Sequence, residues 1–253
     1  MKRIIVTIMI ALVLVGIVWA GGQSEDTDGT RTITVATDAT WPPMEFINTD
    51  QEIVGFDIDL MNAIADAAEF EVEFQNTAWD GIFAGLANGD YDAVISSVTI
   101  TEERQRTMDF STAYVNAGQV LIVRQDAPSG WTTLDDLAGE SVGAQIGTTG
   151  AIEIDNNEDV ELRTYDEIGL AIEDLAQGRI AGVVADAPIA ADFVLQNENY
   201  EGTLQIVGEP FTDEYYGVAV RKGNDEVLDL VNEGLEVVLN DGTIEELQDK
   251  WLR

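Results

Sequence analysis

Neither cysteine nor histidine occurs among the 253 residues, and only 12 lysines and arginines stand against 48 aspartates and glutamates. Without cysteine there is no disulfide framework, no thiol-linked lipid anchor and no thiolate metal site. Without histidine the Ser-His and Cys-His nucleophile pairs drop out together with imidazole-ligated metals. Oxygen-ligated ions stay open in principle, but no D-x-[DN]-x-[DN]-G loop with a downstream Glu is present. A formal net charge of -36 repels nucleic acid and anionic lipid. That field either attracts cationic solutes or serves solubility in salt, which screens the self-repulsion.

What is present begins with "MKRIIVTIMIALVLVGIVWA": Lys2 and Arg3, an apolar run from Ile4 to Trp19, and Val18-x-Ala20 before a glycine pair. This reads as a secretory signal peptide over residues 1–20, cleaved after Ala20. The alternative is a permanent anchor, since the run is only slightly shorter than the roughly 20 residues that span a bilayer. Cleavage would remove two basic residues, taking the net charge from -36 to -38 and leaving an exported protein. Residues 21–31, containing "QSEDTDGTR", are polar and without periodicity, and read as a linker.

From Thr32 onward, short β-branched or alternating runs alternate with stretches of helical spacing. "TITVAT", "EVEFQNT", "YDAVISSVTI", "GQVLIVR", "SVGAQIG", "VELRTY", "IAGVVADA", "LQIVGEP" and "YYGVAVRKG" read as strands. "DIDLMNAIADAAEF", "WDGIFAGLANGD", "EIGLAIEDLAQGR" and the closing "DEVLDLVNEGLEVVLNDG" and "TIEELQDKWLR" read as helices. The alternation predicts an α/β fold of two similar units with mostly parallel sheet, and a cleft between them where a ligand can bind.

Four stretches carry chemistry. In "SSVTITEERQRTMDFS", Ser96, Ser97 and Thr99 fall at the carboxyl end of a predicted strand, Thr101 caps a helix, and Arg104 lies one turn in. An arginine beside hydroxyls is a ready carboxylate site; the alternative is a surface pair with Glu103 or Asp109. Arg106 points away from that face, toward solvent or Asp109. "QIGTTG", with Gln145, Thr148 and Thr149, is either an anion-binding turn or a plain one; it lacks the lysine of a phosphate loop. Asp186 ends the apolar strand of "VVADAP" and must meet a cation or several donors, either a ligand ammonium or the helix that starts at Pro188. Asp38 and Trp41 in "ATDATWPP" and Trp79 in "TAWDG" are core residues or ligand platforms.

Together these segments resemble solute-binding protein family 3, the periplasmic amino acid receptors of ABC importers, in its polar and basic branch. "GFDIDLMNAIA", "SSVTITEERQRTMDFSTAY", "GTTG", "ADAP" and "YYGVAV…LNDGTIEELQDKW" fall in the family's order, and the resemblance runs from about Thr32 to Arg253. It implies a two-lobed periplasmic-binding-protein type II fold. Residues 32–113 and 218–253 would form lobe 1, residues 119–213 lobe 2, with hinge strands at 114–118 and 214–217. It further implies a monomer that captures an L-amino acid and hands it to an ABC transporter permease, with no cofactor and no nucleic acid. By the same resemblance Arg104 would hold the α-carboxylate, helped by Thr99 and by the backbone and hydroxyls around Thr148 and Thr149. Asp186, Ser97 and Thr99 would receive the α-ammonium. Trp41 and Trp79 would sandwich the side chain, and Asp38, Ser96 and Gln145 would meet its polar tip. A guanidinium stacked between tryptophans and paired with Asp38 suits this pocket, which ranks arginine or lysine first and histidine or glutamine next. The two tryptophans depart from the commoner Phe or Tyr, which leaves aromatic or methylated cations open. Two rival classes remain. A cyclohexadienyl dehydratase-like enzyme on the same fold would need a poised general acid, for which only Asp38 and Asp186 offer themselves. A receptor's sensor domain would be expected to continue into a membrane helix after Arg253.

Overall fold

The computed structural model of the protein describes residues 31–253; the expected signal peptide and residues 21–30 of the linker lie outside the described residues. The fold opens with β1 (Thr32–Thr37), whose alternation buries Ile33 and Val35. An antiparallel meander follows, made of β2 (Thr40–Trp41), β3 (Glu45–Ile47) and β4 (Ile53–Val54). Helix α1 (Phe56–Ala67) turns Phe56, Leu60, Met61 and Ile64 into the core. Then come β5 (Glu71–Asn76), α2 (Trp79–Asn88), β6 (Ala93–Val94), the single turn α3 (Glu102–Gln105) and β7 (Met108–Phe110).

The chain crosses through β8 (Val115–Asn116) into a second α/β unit. This unit holds β9 (Gln119–Arg124), a 3₁₀ turn over Leu134–Leu137, β10 (Ser141–Gln145), α4 (Thr149–Asp155), β11 (Glu161–Tyr165) and α5 (Ile168–Ala176). It closes with β12 (Gly182–Asp186), α6 (Ala187–Ala191), a π-helical turn over Asp192–Gln196 and β13 (Leu204–Val207). The return passes through β14 (Tyr215–Tyr216), which pairs antiparallel with β8. It re-enters the first unit as β15 (Ala219–Arg221) and ends in α7 (Asp225–Asn240) and α8 (Thr243–Trp251).

Two five-stranded sheets of matching topology result, β5-β1-β6-β15-β7 and β11-β10-β12-β9-β13. The sequence pattern predicts mostly parallel sheets, but in each only two of the four pairings are parallel. The reason lies in the crossings. Strands in βαβ units end at the edge facing the other lobe, whereas β9 and β15 arrive from the other lobe and start at that edge, so they run the opposite way. Two predicted strands are also cut short. "YDAVISSVTI" joins the sheet only over Ala93–Val94, with a separate bridge from Thr99 to Tyr216, because Ser97 takes a left-handed conformation (φ 49°) and gives its N–H to the Asp57 carboxylate at 2.6 Å. "YYGVAVRKG" splits into β14, which serves the crossing, and β15, which joins the first sheet.

Candidate ligand-binding cleft

The carboxyl ends of the parallel strands in the two sheets face one another, and the chemistry-bearing residues emerge there. Asp38 and Trp41 follow β1, and Ser96, Ser97 and Thr99 follow β6. Trp79 opens α2, Arg104 sits in α3, Gln145, Thr148 and Thr149 close β10, and Asp186 ends β12. These eleven residues, with Glu45, line one cavity of about 310 Å³ between the lobes.

Thr101 caps α3 by accepting the Arg104 N–H at 3.1 Å, which fixes the arginine at the cleft. The guanidinium donates to the Thr99 carbonyl at 2.9 Å and, across the cleft, to the Gly147 carbonyl at 3.3 Å. Its carbon lies 5.5 Å from the Trp79 ring centroid and 5.2 Å from that of Phe83. The surface-pair alternative is not what the structure holds. Asp109 is engaged by Lys222 at 2.6 Å and by the Gly223 N–H at 2.8 Å, and no carboxylate lies within ion-pair distance of Arg104 among the described residues. Arg106 is exposed and does not meet Asp109. Burial lowers the pKa of Arg104, opposed by the charges of Asp186, Glu214 and Glu103.

Asp186 is buried at 6% exposure and makes no capping bond to the helix after it, so the helix-terminus alternative fails. It accepts from the Tyr216 hydroxyl at 2.6 Å and from the Gln119 amide. Burial raises its pKa to about 7; Glu214 adds to the rise, while Tyr216, Gln119 and Arg104 oppose it. Asp38 bridges the lobes: its carboxylate accepts from Gln145 Nε2 at 2.9 Å and from the Thr40 hydroxyl at 2.9 Å, and burial raises its pKa. The "GTTG" turn spends much of its polarity on itself. Thr148 accepts the Ala151 N–H at 3.2 Å and donates to the Gln145 carbonyl at 2.8 Å.

Five residues escaped the sequence reading. Glu45 is wholly buried on β3, accepts from Ser96 Oγ at 2.7 Å and neighbours Asp57. Burial and the neighbouring Asp57 charge push Glu45 well above the ordinary carboxylate range. Burial raises Asp57 to about 6, opposed by the bonds it accepts from the Ser97 N–H at 2.6 Å and the Tyr114 hydroxyl at 3.0 Å. The other three are Phe83 beneath Arg104, Gln119 between Thr149 and Asp186, and Glu214, which accepts from Thr99 and Thr149. In a chain with 48 acidic residues an isolated glutamate reads as solvated surface; only the apolar neighbours of Glu45, Met44 and Phe46, hinted otherwise.

Residues 33–253 match the family described as bacterial extracellular solute-binding proteins, family 3. The chain belongs to that family. Among its relatives, the ABC transporter arginine-binding protein 1 of Escherichia coli (strain K12) is 36% identical, the match covering 84% of this chain and 87% of the relative. The structure of an ancestral arginine-binding protein bound to arginine superposes with a TM-score of 0.82 at 40% identity, covering 88% of this chain and 98% of the other. An ancestral amino acid-binding protein described as a precursor of cyclohexadienyl dehydratase gives a TM-score of 0.80 at 35% identity, over 88% and 95%. These neighbours establish the two-lobed fold for this family member. Among the described residues no helix is long and apolar enough to cross a membrane.

Proposed function

We propose that this family 3 protein is a periplasmic receptor that captures a basic L-amino acid, arginine or lysine first and histidine or glutamine next, and delivers it to an ABC transporter permease. One observation carries the reading. Within a single cavity, and among the described residues, Arg104 lacks a carboxylate partner and Asp186 lacks a direct ion-pair partner, and a zwitterion removed from water needs one of each. Arg104 takes the α-carboxylate, and Asp186 with Ser97 takes the α-ammonium. Trp41 and Trp79 flank the side chain, and Asp38, Ser96 and Gln145 meet its polar end. Residues 32–113 with 218–253 act as lobe 1 and 119–213 as lobe 2, turning about 114–118 and 214–217. A ligand that touches both lobes binds the closed state better and so closes the clamp. The protein works as a monomer, without cofactor.

The test is calorimetric titration of refolded, ligand-stripped protein with a panel of amino acids, repeated on Arg104→Ala. Saturable binding of one of the four named ligands, weakened at least 100-fold in the variant, is the expected outcome. Absence of amino acid binding by folded protein would sink the receptor reading. Asp186 also favours a second reading, since a carboxyl group near pH 7 is a competent general acid for a dehydratase. Turnover of prephenate or arogenate, abolished in Asp186→Asn, would establish that alternative.

A further inference from the structure

Glu214 enters the cleft from the second crossing and is nearly buried, at 9% exposure, yet among the described residues it makes no ion pair. Its partners are three threonine hydroxyls. Thr99 of the first lobe donates to Oε2 at 2.9 Å, Thr149 of the second lobe donates to the same oxygen at 2.6 Å, and Thr212 donates to Oε1 at 2.9 Å. Its backbone carbonyl accepts from the Ala117 N–H of the first crossing at 2.7 Å. One residue thus joins both lobes through its carboxylate and both crossings through its backbone.

A hydroxyl has one proton to give and two lone pairs to receive with. The protons of Thr99 and Thr149 are both spent on Glu214, while both side chains line the ligand cavity. Thr149 also receives the Gln119 amide at 3.1 Å, which occupies one of its lone pairs. What the two hydroxyls can still offer the cavity is acceptor capacity. We infer that Glu214 sets the hydrogen-bond polarity of the pocket: it turns Thr99 and Thr149 into acceptors that, with Asp186, select a ligand ammonium, and it latches the lobes together as it does so. The α-carboxylate is then left to Arg104, and the hydroxyls of Thr99 and Thr149 do not share it. This deepens the receptor reading and rests on it.

The discriminating experiment compares arginine with 5-guanidinopentanoate, which is arginine without its α-amino group, by calorimetry on wild type, Glu214→Gln and Thr149→Val. Wild type is expected to prefer arginine by at least 100-fold. In Glu214→Gln the amide N–H can donate to the threonines, turning their protons toward the cavity, so the preference should shrink by tenfold or more. Thr149→Val, which leaves Glu214 in place and removes one acceptor, should shrink it several-fold and covers the case in which the glutamine variant does not fold. An undiminished preference in the folded variants overturns the inference even if overall affinity falls, and leaves the receptor reading standing. If wild type binds no amino acid at all, the receptor reading fails and the selection of an ammonium falls with it. The latch alone is then judged by small-angle scattering, where Glu214→Ala, which removes the side-chain bonds to Thr99 and Thr149, must be more expanded than wild type in the ligand-free state; equal radii overturn it.

Discussion

At Asp186 a proton competes with the ligand's ammonium. Its pKa of about 7 means that below neutrality the carboxyl must lose a proton before it can pair with a cation. Arginine affinity should therefore fall about tenfold per pH unit below 7 and level off above it. At pH 6, titration in buffers of different ionisation enthalpy should report nearly one proton released per ligand. Asp186→Asn should abolish both the proton release and the pH dependence. The same group acts on stability with the opposite sense. Its folded pKa lies above the ordinary aspartate value of 3.8, so between these values the native state holds more protons than the unfolded chain, and stability is lost as pH rises through 7. Ligand-free Asp186→Asn should accordingly be more stable than wild type at pH 8, by on the order of 2 kcal/mol, and not at pH 4; urea unfolding at the two pH values checks this. Arg104 and Asp186 stood out in the sequence as candidates because a scarce cation after a hydroxyl run, and an acid ending an apolar strand, are locally anomalous, while the residues alone left a surface pair and a helix terminus open as alternatives. Glu45 and Glu214 were not, because nothing within a few residues of an acid reveals that the surrounding fold has excluded water from it.

Helices α1 and α7 illustrate what element assignment from periodicity achieves. Both were readable from apolar residues at helical spacing, and the structure packs them together, with Val227, Val231, Leu235 and Val238 of α7 buried. Gly234 lies on the same face, where an added methyl would run into the Ile64 carbonyl oxygen of α1. Helix propensity alone would favour Gly234→Ala by about 1 kcal/mol. Overpacking against backbone should outweigh that gain, giving net destabilisation of about 1–3 kcal/mol by urea unfolding. If the variant proves more stable, the close approach of the two helices is relieved more easily than this geometry implies. Strand lengths were less legible than helices. The pattern of "YDAVISSVTI" stays apolar through Ile95, but the sheet ladder stops at Val94, and beyond it only Thr99 bridges Tyr216 while Ser96 and Ser97 line the cleft.

The fold as a whole carries a large negative charge, -38 once residues 1–20 are removed, since that segment holds 2 of the 12 basic residues. Salt shortens the screening length from roughly 30 Å at 0.01 M to roughly 3 Å at 1 M, which relieves self-repulsion. The unfolding midpoint should rise by several degrees between 10 mM and 1 M NaCl in scanning calorimetry. If the charge also steers a cationic ligand, the association rate of arginine should fall over the same range, and an unchanged rate would leave solubility in salt as its role. Saturating arginine should reduce the radius of gyration; no compaction would refute the clamp even if binding were real.

Local features carried the α/β class, the order of the elements, the family resemblance and the position of the cleft, because helical and strand periods, caps and glycine turns are written within a few residues. The antiparallel insertion of β9 and β15 followed only from the crossings between lobes. The bond from Gln145 to Asp38 spans 107 residues and that from Thr99 to Glu214 spans 115. Such contacts depend on how two sheets face each other, a relation that no local period records, and they decide which charges are neutralised and which are left for a ligand.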